Sequence, residues 1–172
     1  MNSGSEHEWP AETDWERWLA IHAPALLLFA RQQVACEADA RDLVQEAVVE
    51  SWRRQAEGTP PPLGLVYATI RRRAVDLARR NDRRADREAA AGLASEPCWF
   101  DSGADEQERN QLIQKAMHSL PEIYRDVLTL KVWGGLTFAE IAQALEIPAN
   151  TAASRYRYGL TEMRKLTNEV FA

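Results

Sequence analysis

The 172-residue sequence has few of the residues that build metal sites, disulfide frameworks or membrane spans. Its two cysteines, Cys36 and Cys98, form no CxxC pair, and its three histidines are scattered. We therefore expect free thiols in a reducing compartment, no metal and no other cofactor. No apolar run is long enough to cross a bilayer, so we expect no membrane insertion. Residues 1–14 lack the basic start and apolar run of a signal peptide, which favours a cytoplasmic location.

The patterns of common catalytic sites are missing as well. No glycine-rich phosphate loop follows a predicted strand, and no nucleophile stands at catalytic spacing from a base. No segment alternates strictly between apolar and polar residues, as a half-buried strand does. The 45% of apolar residues still suffice for a buried core. The sequence therefore predicts an all-α protein that is not an enzyme.

The net charge of −5 limits how the chain could bind nucleic acid. A protein that binds DNA unaided is usually basic, because phosphate neutralisation supplies much of the affinity. Here the charges are unevenly distributed along the chain. This distribution favours local DNA contact by a protein that another component delivers to DNA.

The clearest local pattern lies near the C-terminus, in residues 136–158. Thr137 and Glu140 predict a capping box at the start of a helix. A proline-containing turn follows, after which Asn150 or Thr151 can cap a second helix with cationic side chains. This layout is typical of a helix-turn-helix, whose second helix enters the DNA major groove. An ordinary helical hairpin is the alternative.

Two predicted amphipathic helices in the first half carry faces of opposite charge. The helix over residues 38–54 has an apolar stripe, with acidic residues on its other side. Such a face is usually only solvated, but it could dock a basic partner. The helix over residues 65–84 follows a triple-proline loop and carries seven arginines. We favour phosphate binding by these arginines over pairing with nearby acids, because the basic residues are in excess.

The remaining segments set the domain boundaries. Residues 85–110 lack a sustained periodic stripe and are predicted to be a linker between two small helical domains. The predicted division is an acidic arm at 1–14, a first domain at 15–84, this linker, and a second domain at 111–172. Within the second domain we expect another capping box at Ser119–Glu122 and fraying of residues 163–171.

Three stretches, in this order, resemble the extracytoplasmic-function (ECF) sigma factors, the smallest group of bacterial RNA polymerase sigma subunits. Residues 39–46, with the sequence DARDLVQE, resemble region 2.2 of that family, and residues 67–80 resemble regions 2.3 to 2.4. Residues 120–160 resemble region 4, with the helix-turn-helix inside it. The resemblance covers about residues 15–166. It implies a transcription initiation factor that directs polymerase core to specific promoters and assists promoter melting.

The resemblance also implies partners and sites. One domain would dock on the clamp helices of the largest catalytic subunit of polymerase, and the other on the flap of the second subunit. The polymerase-binding residues would be Asp39, Asp42, Gln45 and Glu46. The minus-ten promoter element would be bound by Arg71, Arg72, Arg73, Arg79, Arg80 and Arg83. The minus-thirty-five element would be bound by Lys131, Thr151, Ser154, Arg155 and Arg157. An anti-sigma protein or a similar partner is expected to hold the chain in check.

The chain departs from the family pattern at several positions. Ala153 stands where the family often has a cation, Arg72 where it often has Asn, and Glu146 at the turn glycine. These departures leave the minus-thirty-five preference open, and Arg155 could pair with Glu146 or Glu140 instead of DNA. Two other functions remain as alternatives. One is a stand-alone helix-turn-helix regulator, and the other is a sigma-derived adaptor that binds a protein partner without supporting transcription.

Overall fold

The computed structural model describes residues 14–55, 59–85 and 107–170, and these residues form seven helices and no strand. The first half of the chain contains α1 (Asp14–Gln33), α2 (Glu37–Trp52) and α3 (Leu63–Ala85). The second half contains α4 (Gln107–Ser119), α5 (Glu122–Val132), α6 (Phe138–Leu145) and α7 (Ala149–Val170). The all-α prediction is confirmed. Residues 86–106 of the predicted linker lie outside the described residues, its first residue, Ala85, ends α3, and α4 begins within its last residues.

The apolar stripes of the first half bury as the periodicity predicts. In α2 the buried residues include Leu43, Ala47 and Val48, and in α3 they include Tyr67 and Ile70. These side chains pack with α1 in a single hydrophobic cluster. The packing turns the charged faces of α2 and α3 away from the core.

Local caps in the second half agree with the sequence at one end and differ at another. The Thr137 hydroxyl accepts from the Glu140 amide at 3.3 Å, and the Glu140 carboxylate accepts from the Thr137 amide at 2.7 Å. The predicted capping box of α6 is therefore confirmed. The box predicted at Ser119 is wrong. Ser119 is the last residue of α4, and its hydroxyl donates to the Lys115 carbonyl at 3.0 Å instead of capping α5.

The last helix differs from expectation at both ends. It begins at Ala149, so the predicted cap residues Asn150 and Thr151 lie within its first turn. The amide of Thr151 donates to the Pro148 carbonyl at 2.9 Å. The predicted fraying from residue 163 is wrong, because α7 continues to Val170. Met163 and Leu166 pack against a buried cluster that contains residues of α1, α4 and α5, and this contact holds the final turns.

The two halves pack directly against each other, α3 on α6 and α1 on α5. One hydrophobic cluster contains residues of both halves, and Leu28 of α1 also packs in a cluster with Met117, Leu120 and Leu128. Polar contacts cross the same boundary. The Thr129 hydroxyl donates to the Gln32 side-chain carbonyl at 2.8 Å, at a buried position. We call this packing of the two halves the closed arrangement.

Candidate nucleic-acid and polymerase interfaces

The outer face of α2 is acidic and open to solvent. Asp42, Gln45 and Glu46 are exposed, and Asp39 is partly buried. The first three border a shallow surface pocket with Val49, which is 42% exposed. The helix is fixed at its start by Cys36, a free thiol whose sulfur accepts from the Asp39 amide at 3.3 Å. The closed arrangement leaves this acidic face accessible, so a partner could reach it without domain movement.

Two arginines of α3 pair with acids on α2. Arg72 contacts the Glu50 carboxylate, and Arg73 contacts Glu46 and also donates to Glu50 at 2.9 Å. The hydrogen bond from Arg72 is the main reason that the pKa of Glu50 lies below its usual range, and Arg73 contributes further. The alternative prediction for the arginine helix was that its cations pair with nearby acids. In the free chain, Arg72 and Arg73 do so.

A cleft of about 350 Å³ separates the other side of α3 from the end of α6. Its charged lining residues are Arg71, Arg72, Asp76, Arg79 and Glu146. The Arg71 guanidinium donates to the Leu145 carbonyl at 2.8 Å, which joins the two halves. Arg79 and Arg80 are exposed. The side chain of Arg83 lies outside the described part of the chain.

The helix-turn-helix is formed by α6 and α7, which Phe138 and Tyr156 hold together through an edge contact of 5.6 Å between ring centroids. Ala152 is fully buried at the crossing. Arg157 is exposed, whereas Thr151, Ser154 and Arg155 are partly buried. These four predicted contact residues lie in the first turns of α7, where a recognition helix contacts base edges.

Two of the predicted contact residues have local partners. The Lys131 ammonium donates to the Leu136 carbonyl at 2.9 Å and lies 5.0 Å from the centre of the Phe138 ring. The Ser154 hydroxyl donates to the Asn150 carbonyl at 2.8 Å. Arg155 forms no salt bridge with Glu140 or Glu146, all three being described residues. The Lys131 ammonium uses one of its three donors on the Leu136 carbonyl, and the other two could still reach a phosphate.

Sequence reasoning missed the polar residues between the two halves. Asp126 is 2% exposed and accepts a hydrogen bond of 2.8 Å from the Gln33 side chain. Burial raises the pKa of Asp126 to about 6. The partners are 93 positions apart in sequence. The one feature of the sequence that could have indicated this contact is the position of the Asp126 carboxylate directly beside the apolar stripe of α5.

Neither a membrane span nor a metal cluster occurs in the described ranges. No helix there is both long and apolar enough to cross a membrane. No group of three or more potential metal-binding side chains occurs in the same ranges.

Comparison with known proteins identifies both halves of the chain. The family model for sigma-70 region 2 matches residues 19–84, and the model for sigma-70 region 4 matches residues 110–163. An ECF RNA polymerase sigma factor, SigK of Mycobacterium ulcerans (strain Agy99), is 30% identical over 130 residues, or 72% of this chain and 69% of the relative. SigK of Mycobacterium tuberculosis (strain ATCC 25177 / H37Ra) is 27% identical over 129 residues, with the same shares.

Two solved structures share the fold. The sigma factor RpoE in complex with the anti-sigma factor NepR, from Bartonella quintana, superposes with a TM-score of 0.66 at 20% identity, over 90% of this chain and 97% of RpoE. CnrH in complex with the cytosolic domain of CnrY gives a TM-score of 0.60 at 18% identity, over 89% and 86% of the two chains.

An acidic helix face, an arginine helix and a helix-turn-helix, carried in that order by the two matched regions, define a sigma subunit of RNA polymerase, which acts in transcription initiation. Within that class, the chain belongs to the ECF sigma factors.

Proposed function

We propose that the two halves divide promoter recognition between them. The first domain, residues 15–84, docks on polymerase core and binds the minus-ten element. The second, residues 111–172, binds the minus-thirty-five element, and residues 85–110 link them. The observation that carries this division is the order of three surfaces on one acidic chain: the open acidic face of α2, the arginines of α3 and the exposed start of α7.

The docking surface is the acidic face of α2. Asp42, Gln45 and Glu46 are exposed and lie next to the partly apolar Val49. Charges at the edge of an interface steer encounter and fix register, while an apolar centre adds affinity. The clamp helices of the largest polymerase subunit are the proposed partner. Polymerase core would then supply the DNA affinity that a chain of net charge −5 lacks.

The minus-ten surface is the outer side of α3. The guanidinium groups of Arg71, Arg72, Arg73, Arg79, Arg80 and Arg83 would hold the phosphates of the non-template strand. A base taken out of the stack would enter the region of the proline loop that precedes α3. Strand separation is therefore promoted by capture of single-stranded DNA and not by any bond-making chemistry, so the chain is proposed not to be an enzyme.

The minus-thirty-five surface is the start of α7. Arg157 and its neighbours Thr151, Ser154 and Arg155 would contact bases and phosphates in the major groove, with Lys131 on a flanking phosphate. The flap of the second polymerase subunit is the proposed partner of this domain. We place the activity in the cytoplasm. RpoE and CnrH were each solved with a protein partner, which supports an anti-sigma protein as the inhibitor of this chain.

Run-off transcription tests the proposal. Polymerase core is incubated with a pool of genomic promoter fragments, with and without the purified chain. Discrete transcripts that require the chain are expected, and their upstream sequences would align into two elements. Core binding without transcripts would favour an adaptor. Tight operator binding by the chain alone, without core binding, would favour a stand-alone regulator.

A further inference from the structure

We propose that, in the closed arrangement, the carboxyl end of α6 takes the place of a DNA phosphate in the arginine cleft of α3. The free chain would thereby block its own minus-ten surface. This inference rests on the proposed function, because it requires that the arginines of α3 bind nucleic acid. It adds an internal competitor for that site.

The first supporting contact is the one between Arg71 and Leu145. Leu145 is the last residue of α6, and its carbonyl is among the final four, which have no partner within a helix. The aligned peptide dipoles place about half a negative charge at this end of a helix. Arg71 donates to that carbonyl at 2.8 Å. A helix end of this kind offers a guanidinium the same features as a phosphate, namely an oxygen acceptor and negative charge.

The second supporting residue is Glu146, which follows Leu145. Its backbone has φ 55° and ψ 46°, a left-handed conformation that a residue with a Cβ atom rarely adopts. Glycine would fit this position without strain, but here the position carries a carboxylate. Glu146 lines the cleft together with Arg71, Arg72 and Arg79. A second acid, Asp76 of α3, lines it as well. The negative charge of α6 is thus increased at the point where it faces three arginines.

The closed arrangement also keeps the two DNA-binding surfaces too close together for a promoter. The names of the two elements place them about 25 base pairs apart, which is roughly 85 Å along B-form DNA at 3.4 Å per base pair. In the closed chain, α6 lies on α3, and α7 begins three residues after Glu146. One closed chain therefore cannot contact both elements. Opening removes the end of α6 from the cleft and separates the two domains in the same movement.

A disulfide can test this inference, because the structure offers suitable geometry. A Cβ atom placed on Gly64 of α3 would lie 3.7 Å from the Cβ of Glu140 in α6, which is within the range for a disulfide. The variant carries Gly64→Cys and Glu140→Cys, with Cys36→Ser and Cys98→Ser to remove the native thiols. The oxidised and reduced forms are then compared at low salt for binding to a short fluorescein-labelled single-stranded DNA. Each single-cysteine variant serves as its control.

We expect the oxidised form to bind the single strand at least about tenfold more weakly than the reduced form, with no such change in the controls. Equal binding by a fully cross-linked chain would overturn the inference, because α6 would not then cover the arginines. Failure of the disulfide to form would also overturn it, since the closed arrangement would not be populated. Run-off transcription with the reduced form separates the two proposals. Loss of transcripts there would count against the proposed function itself, whereas normal transcripts with equal binding would count only against the blocking role of α6.

A charge-neutralising pair tests Glu146 without a cross-link. Glu146→Gln removes the carboxylate from the cleft, and Glu162→Gln makes the same charge change on α7, where Glu162 pairs with Lys165. We expect Glu146→Gln to raise single-strand affinity by about three- to tenfold and Glu162→Gln to change it much less. Equal effects of the two substitutions would show that Glu146 does not compete with DNA for the arginines of α3.

Discussion

The Gln33 side chain donates a hydrogen bond of 2.8 Å to the carboxylate of Asp126 and so joins α1 to α5 across the boundary between the two halves. Asp126 is almost fully buried, and this burial raises its pKa to about 6. Glu122 raises the pKa further, while Gln33, Arg71 and Arg125 lower it. The closed arrangement therefore contains a carboxyl group that keeps its proton up to about pH 6.

We predict that Asp126 lowers the free energy of unfolding by on the order of 3 kcal/mol as pH rises from about 4 to 6. The folded chain holds the Asp126 proton up to about pH 6, whereas the unfolded chain releases it near 3.8. The loss of stability is thus absent below the unfolded-state pKa of Asp126 and complete above its folded-state pKa. Asp126→Asn should remove it and raise stability most above pH 6.

Urea unfolding of the wild type and Asp126→Asn over a pH series measures this prediction. Burial lowers the pKa of His22 as well, but His22 is present in both proteins and its contribution cancels in their difference. A stability difference that does not vary with pH would contradict the assignment to Asp126.

The left-handed backbone of Glu146 gives a second prediction. Left-handed geometry costs a residue with a Cβ atom roughly 1–2 kcal/mol, and the greater chain entropy of glycine offsets about half of that. Glu146→Gly should therefore be more stable than Glu146→Gln by about 1 kcal/mol, although both lose the same charge. Thermal unfolding of the two variants measures the difference. Equal stability would mean that the turn is not strained.

Local interactions were predictable from the sequence because both partners lie within one turn. Thr137 and Glu140 are three residues apart, and their capping box forms as expected. The apolar stripes of α2 and α3 likewise follow from spacing alone. Ser119 shows the limit of such reasoning, because its hydroxyl bonds back to α4 once α4 extends that far. Where a side chain has two possible local partners, sequence spacing alone does not predict which of them it will bind.

Contacts between the halves were not predictable, because nothing local determines them. Gln33 and Asp126, and likewise Arg71 and Leu145, become neighbours only when two separately folded surfaces meet. The charge of α3 was evident from the sequence, but its partners Glu46 and Glu50 on α2 depend on how the two helices cross. The candidate site was thus predicted as a set of surfaces and not as a set of pairings.

The acidic face of α2 provides a third prediction, which separates docking from internal pairing. Asp42→Ala should weaken binding to polymerase core by about tenfold, because an interface charge is lost, and should leave single-strand affinity unchanged. Glu46→Ala should weaken core binding and also raise single-strand affinity, because Glu46 pairs with Arg73. Fluorescence anisotropy with labelled chain measures both. Unchanged core affinity in both variants would exclude this face from docking.

The exposed start of α7 provides the last prediction. Arg157→Ala should lower transcription from promoters that depend on the upstream element, because a direct contact to a base is worth about 1–3 kcal/mol. Arg164 is also exposed and lies two turns further along the same helix, beyond the part that enters a major groove. Arg164→Ala is therefore the matched control and should retain activity.

Transcription from the intact promoter is compared with transcription from one whose upstream element is scrambled. For the wild type, scrambling should cause a large loss. For Arg157→Ala the loss should be smaller, because the contact is already missing, and Arg164→Ala should behave as the wild type. If only a phosphate is bound, Arg157→Ala would instead weaken every promoter alike and reduce the salt dependence of binding by about one unit of slope. The same loss on scrambling for all three chains would remove Arg157 from the recognition surface.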